Sequence, residues 1–81
     1  MFTQMKVRRI EEKEVDVPSL GARIEQARRA SNKSLSELCR EANVSRNYWY
    51  QLEAEEIKGA LLEDTLRRIE KVLGIDFEVR F

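Results

Sequence analysis

Apolar residues recur through the middle of the chain at the spacing of one helix face, three or four residues apart. This period predicts a first helix that begins after Ser19 and ends near Asn32, and a last helix from about Leu62 to Leu73. Ser19 is a favourable N-cap residue, and Gly74 suits the left-handed turn that commonly ends a helix. The predicted inner faces hold Leu20, Ile24, Ala27 and Ser31 in the first helix and Leu62, Leu66, Ile69 and Leu73 in the last.

Two short helices are predicted between these, in the stretch Ser34–Glu53. Ser34 stands before the first of them as an N-cap, and Glu37 three residues later completes a capping box. Asn43 tolerates the left-handed backbone that ends a helix, and Ser45 can cap the next one. The spacing therefore predicts two helices joined by a tight turn. The apolar stripe of the first consists of Leu35, Leu38, Cys39 and Ala42.

The second short helix has two chemically different faces. Trp49 and Leu52 fall on the inner face and are predicted to pack in the core. The outer face is predicted to hold four side chains with hydrogen-bond donors, which are Arg46, Asn47, Tyr50 and Gln51. A helix that buries one side and presents these groups on the other is suited to a polar ligand, and DNA is the best candidate.

Both ends of the chain alternate apolar and polar residues with a period of two, the pattern of a half-buried strand. Residues 1–17 alternate around a polar turn at 11–13, and Pro18 ends this stretch because proline has no N–H to donate. Since a lone strand is unstable, the two ends are predicted to form a small three-stranded antiparallel sheet, within the chain or across a dimer. The apolar side of the C-terminal strand is predicted to hold Ile75, Phe77, Val79 and Phe81.

Length and composition fit a single domain spanning residues 1–81. It divides into an N-terminal strand region at 1–17, a helical core at 19–73 and a C-terminal strand at 75–81. Basic and acidic residues number 15 each, so the net charge is zero and affinity for nucleic acid is expected to be modest and salt-sensitive. Lys6, Arg8 and Arg9 are either a DNA-contacting arm or a solvated strand face, and nearby acids favour the strand face.

Residues with reactive side chains are few. With one cysteine and no histidine, the chain cannot form an internal disulfide or assemble a metal site. Cys39 lies on an apolar stripe and is interpreted as a small buried hydrophobe. No apolar run is long enough for a signal peptide or a membrane span. We expect no enzymatic activity, no cofactor, no small-molecule ligand and a cytoplasmic location.

The stretch Ser34–Glu53 resembles the lambda-repressor-like helix-turn-helix regulators, also called the XRE or Cro-like family. The resemblance implies a mainly α domain of four to five helices, here with the small terminal sheet, in a bacterial or phage-type regulator. It also implies that the helix from Ser45 to Glu53 is a recognition helix lying in the major groove. The residues that carry it are Leu38-Cys39, Asn43-Val44-Ser45-Arg46, Leu52-Glu53 and Leu73-Gly74-Ile75, within a match from Leu20 to about Phe77.

The resemblance also implies roles for individual residues. Arg28 and Glu53 occupy positions where family members often pair an arginine with a glutamate, and this ion pair would orient the recognition helix. The implied contacts with bases come from Arg46, Asn47, Tyr50 and Gln51, and those with the DNA backbone from Lys33, Ser34, Ser45 and Tyr48.

Two functions from different classes stay open. The first is a sequence-specific transcriptional regulator that binds double-stranded DNA as a homodimer through its terminal strands, with half-sites about 34 Å apart. The second is a protein-interaction or antitoxin-like adaptor on the same fold, which the zero net charge and the run Tyr48-Trp49-Tyr50 favour. The dependence of DNA affinity on salt separates the two.

Overall fold

The computed structural model describes residues 4–9 and 13–81, which form four helices and a three-stranded sheet. The mainly helical fold class and the order of the four helices are confirmed. Residues 1–3 of the predicted strand region, and Glu11 and Glu12 of the predicted turn, lie outside the described residues. In chain order the elements are β1 (Gln4–Arg8), β2 (Glu14–Pro18), α1 (Leu20–Ala30), α2 (Leu35–Ala42), α3 (Arg46–Ala54), β3 (Leu61–Leu62) and α4 (Glu63–Leu73).

The N-terminal alternation produces an antiparallel hairpin of β1 and β2, as predicted. Met5 pairs with Val17 and Val7 with Val15, so the apolar residues of both strands share one face. Met5, Val7 and Val17 are buried in the core, whereas Lys6 on the other face is exposed. The period-two pattern therefore places this hairpin with its apolar face on the helices.

The third strand differs from the prediction. It is β3, which precedes α4 and pairs with β1 in parallel, with Val7 beside Leu61. The sheet order is β2-β1-β3, so the sheet is mixed and not antiparallel throughout. Residues 75–81, predicted to supply a strand, form none.

Side chains from the helices form hydrogen bonds with backbone groups of residues 75–81, in place of the bonds that a neighbouring strand would have made. The Arg23 guanidinium donates to the Phe77 carbonyl oxygen at 2.8 Å, and the Arg67 guanidinium donates to the Val79 carbonyl oxygen at 3.0 Å. The Phe77 N–H donates to a carboxylate oxygen of the buried Glu70 at 2.8 Å. Because buried backbone polar groups must be paired, these three contacts allow the segment to lie against the core without a strand partner.

The alternating pattern predicted burial in this segment correctly at two positions. Phe77 and Val79 are 2% and 3% exposed, and Phe81 is partly buried with the Arg9 guanidinium 4.7 Å from its ring centroid. Ile75 is 43% exposed, and Leu62, predicted on the inner face of the last helix, is 50% exposed. Leu62 points outward because its neighbour in the short β3 takes the buried side.

Asp76 shapes the backbone between these apolar residues. Its carboxylate pairs with the Arg80 guanidinium at 3.0 Å and accepts the Glu78 N–H at 2.7 Å. These two interactions, the arginine first, lower the pKa of Asp76 to about 2. Glu78 adopts a left-handed backbone with φ of 61°, so the Asp76 turn holds a conformation that a residue other than glycine adopts rarely.

The start of α1 also departs from the prediction. Ser19 has a left-handed backbone and makes no side-chain capping bond. A carboxylate from the far end of α3 takes that place, because Glu55 accepts the Gly21 N–H at 2.8 Å. The negative charge of Glu55 is also favourable at the positive end of the helix dipole.

The helices and the sheet divide the molecule into two sides. The sheet packs against α1 and α4, α2 packs against α4, and α3 packs against α1. The outer face of α3 is therefore left open to solvent, on a frame formed by the rest of the fold.

We predict that Phe77→Ala lowers the free energy of unfolding by about 3 to 5 kcal/mol, because it removes a nearly fully buried ring. Ile75→Ala in the same segment is the matched control and should cost about 1 kcal/mol or less, since Ile75 is 43% exposed whereas Phe77 is 2% exposed. Urea denaturation of both variants measures the difference. Equal losses would show that residues 75–81 do not pack as described.

Candidate nucleic-acid interface

The turn between α2 and α3 is fixed by a hydrogen bond at each end, one between backbone groups and one to a side chain. Asn43 has the left-handed backbone predicted for it, and the Val44 N–H donates back to the Cys39 carbonyl oxygen at 3.0 Å. The Ser45 hydroxyl then accepts the Tyr48 N–H at 3.0 Å, so α3 begins at a side-chain cap. This geometry sets the direction in which α3 leaves the turn.

The α3 helix buries one face and exposes the other. Trp49 and Leu52 are fully buried. Arg46, Asn47 and Tyr50 are exposed, and Gln51 is partly exposed beside them. Positions 46 and 50 and positions 47 and 51 are each four residues apart, so the four side chains lie on one continuous surface.

The Glu53 carboxylate holds α3 against α1. It receives two hydrogen bonds from the Arg28 guanidinium, at 2.5 and 2.9 Å, and a third from the Trp49 indole N–H at 2.7 Å. The Glu53 side chain is only 8% exposed. The hydrogen bonds from Arg28 to Glu53 raise the pKa of Arg28 above its ordinary value. The structure thus brings Arg28 and Glu53 together and adds Trp49, a partner that the resemblance did not indicate.

The second attachment of α3 is a close backbone approach at Gly21. A Cβ atom at this position would lie 2.6 Å from the Glu53 carbonyl oxygen and 2.7 Å from that of Leu52, so only glycine fits. A lone glycine inside the first turn of a predicted helix is the trace of this approach in the sequence, and it does not identify the partner. The Trp49–Glu53 contact had a signal too, because the two residues are four apart on one helix.

The residues expected to contact the DNA backbone lie at the starts of α2 and α3. Lys33 pairs with Glu41 at 2.6 Å, and the Ser34 hydroxyl accepts the Glu37 N–H at 3.1 Å within a complete capping box. Tyr48 is partly buried against the core, and this burial raises its pKa. Lys33 and Tyr48 therefore also have structural contacts of their own.

A family model described as helix-turn-helix (HTH_3) matches residues 24–79, more than half of the chain. The chain belongs to this helix-turn-helix family. The family is one of DNA-binding regulators of the XRE or lambda-repressor-like type, so the resemblance noted in the sequence is confirmed. No curated protein and no solved structure matches the chain.

The hairpin precedes the region that the helix-turn-helix family shares. Two of the basic residues here are engaged within the fold, since Arg8 pairs with Glu14 at 2.7 Å and Arg9 pairs with Glu63 at 2.9 Å, whereas Lys6 is exposed on the outer face. The sheet packs on α1 and α4, away from the exposed face of α3. These contacts favour the strand-face interpretation of the basic cluster over a DNA-contacting arm. None of the described helices is long and apolar enough to cross a membrane.

We predict that Arg28→Ala lowers the free energy of unfolding by about 2 to 3 kcal/mol, because it removes two of the three hydrogen bonds to a largely buried carboxylate. Arg29→Ala is the matched control, removing the adjacent arginine of a solvent-exposed pair with Glu25. It should cost about 0.5 kcal/mol or less. Denaturant unfolding at neutral pH measures the loss of stability in both variants. Equal losses would contradict the role of the Arg28–Glu53 pair in attaching α3 to α1.

Proposed function

We propose that this protein is a sequence-specific regulator of transcription that inserts α3 into the major groove of double-stranded DNA. The observation that carries the proposal is the continuous exposed surface of Arg46, Asn47, Tyr50 and Gln51 on a helix whose other side is locked into the core. Membership of a DNA-binding helix-turn-helix family supports it. The proposal needs no cofactor and includes no enzymatic step.

The exposed side chains match the chemistry of base edges. Arg46, in the first turn of α3, can donate two hydrogen bonds to the O6 and N7 atoms of guanine. Asn47 and Gln51 can each pair with the N6 and N7 atoms of adenine. Tyr50 completes the proposed set of base-contacting residues.

Contacts with the DNA backbone would set the register of the domain. We assign them to Lys33 and Ser34 before α2 and to Ser45 and Tyr48 at the start of α3. The N–H groups of Arg46 and Asn47 have no intrahelical carbonyl partner and add to this positively polarised end, whereas the Tyr48 N–H is taken by the Ser45 cap. Arg28 and Glu53 keep a structural role, holding the helix at one angle to the DNA.

We also propose that residues 1–81 act as one DNA-binding unit, in the cytoplasm, and that two copies bind together through their terminal segments. Two-fold symmetry would place the recognition helices on half-sites about 34 Å apart. The outer edge of β2 supports this, because β2 ends the sheet order and, among the described residues, no strand pairs with it on the side away from β1.

Selection of bound sequences from a random DNA pool is the direct test. We expect one enriched motif for the unaltered protein and, for Arg46→Ala, a loss of preference at one position with a cost of about 1 to 3 kcal/mol. Arg29→Ala is the control, since it removes the same charge from an exposed position on α1 to which no DNA or dimer contact is assigned. It should leave the enriched motif unchanged.

Titration of salt distinguishes the proposal from the adaptor alternative. Binding to the selected sequence should weaken steeply as salt rises, because phosphate contacts release counterions. If no sequence is enriched even at low salt, the DNA-binding proposal fails and the protein-interaction module is favoured.

The proposed dimer has its own prediction. Sedimentation equilibrium on the selected DNA should give a complex that contains two chains of 9.6 kDa each. The enriched motif should be a palindrome with half-sites one helical turn apart. A single chain bound to a motif without symmetry would contradict the dimer and leave the DNA contacts of α3 standing.

A further inference from the structure

Tyr50 differs from the other residues on the exposed face of α3. Its side chain is a large aromatic ring, and the residue is 56% exposed although the core lies one residue away at the fully buried Trp49. Arg46, Asn47 and Gln51 provide the polar contacts, so the ring adds apolar surface to a face that is otherwise suited to hydrogen bonding. The exposed ring therefore offers the bound molecule an apolar surface beside these polar groups.

The major groove offers one apolar group among its base edges, the 5-methyl group of thymine. We infer that Tyr50 packs its ring on a thymine methyl group and thereby makes the protein select thymine at one position of the half-site. The inference rests on the proposed function and names the chemical group that this side chain recognises.

The geometry of α3 gives the position of that thymine. Tyr50 lies four residues after Arg46, which is about 6 Å along the helix axis. Successive bases of one strand are about 3.4 Å apart, so with α3 lying along the groove the thymine is about two base pairs from the base that Arg46 contacts. The Glu53 carboxylate, one turn beyond Tyr50, fixes the rotation of α3 through Arg28 and Trp49. The ring is therefore presented in one direction.

Deoxyuridine tests the inference, because it keeps every hydrogen-bonding group of thymidine and lacks only the methyl group. Each thymine of the selected sequence is replaced in turn, and the Kd is measured by fluorescence anisotropy. We expect one position at which deoxyuridine weakens binding about fourfold, the factor expected from exposing one methyl-sized group. Tyr50→Ala should bind the two DNAs with equal affinity, whereas Tyr50→Phe should retain the discrimination because the ring is kept.

Arg46→Ala is the control variant and should bind more weakly overall while it still discriminates thymine from uracil. Equal affinity of the unaltered protein for the two bases at every position would overturn the inference and leave the proposed function intact. Loss of discrimination in Tyr50→Phe would overturn it too, because the hydroxyl group would then be the contact. Failure to select any DNA sequence would overturn both.

Discussion

The position of α3 depends on one buried carboxylate. Glu53 accepts hydrogen bonds from the Arg28 guanidinium and the Trp49 indole, and thereby joins α1 to the buried face of α3 in a single contact. A carboxylate removed from water is costly unless it is paired and fully hydrogen-bonded, so this group specifies a geometry more than it adds net stability. Gly21 completes the arrangement by letting the backbone of α1 approach the end of α3. The outer face of α3 is consequently fixed in direction before any ligand arrives.

Local features of the sequence were sufficient to predict the helices and the turn. Ser34 with Glu37, Asn43 in the turn and Gly74 after α4 each act within four or five residues, so their signals are short and specific. Burial also followed the pattern at positions such as Phe77, because alternation reports which side chains face the core. Helix ends and the side of an element that faces the core thus depend on residues that lie close together in the sequence.

Residues 75–81 show that local sequence patterns do not reveal hydrogen bonds to side chains from distant parts of the chain. Their alternation predicted a strand, yet their carbonyl and N–H groups are bonded by Arg23, Arg67 and Glu70, which lie on α1 and α4. Nothing in the local spacing indicates that a side chain from another element will replace a strand partner. The same holds for Glu55, which caps α1 from 34 residues away. In the candidate site, likewise, spacing predicted the exposed face of α3 but the close approach at Gly21 needed the tertiary structure.

No strand among the described residues pairs with the outer edge of β2, and the charges on this edge constrain how the two copies of the proposed dimer can pair. In a two-fold antiparallel pairing centred on Asp16, that carboxylate would face its own copy, and a pairing centred on Val15 would set Glu14 against Asp16. Like charges directly opposite one another destabilise a sheet. A pairing centred on Val17 instead sets Asp16 opposite Pro18, which is uncharged. In a dimer through β2, the two copies would therefore contact each other at the Val17–Pro18 end of the strand. This end is next to α1, the helix whose Arg28 holds α3 in place.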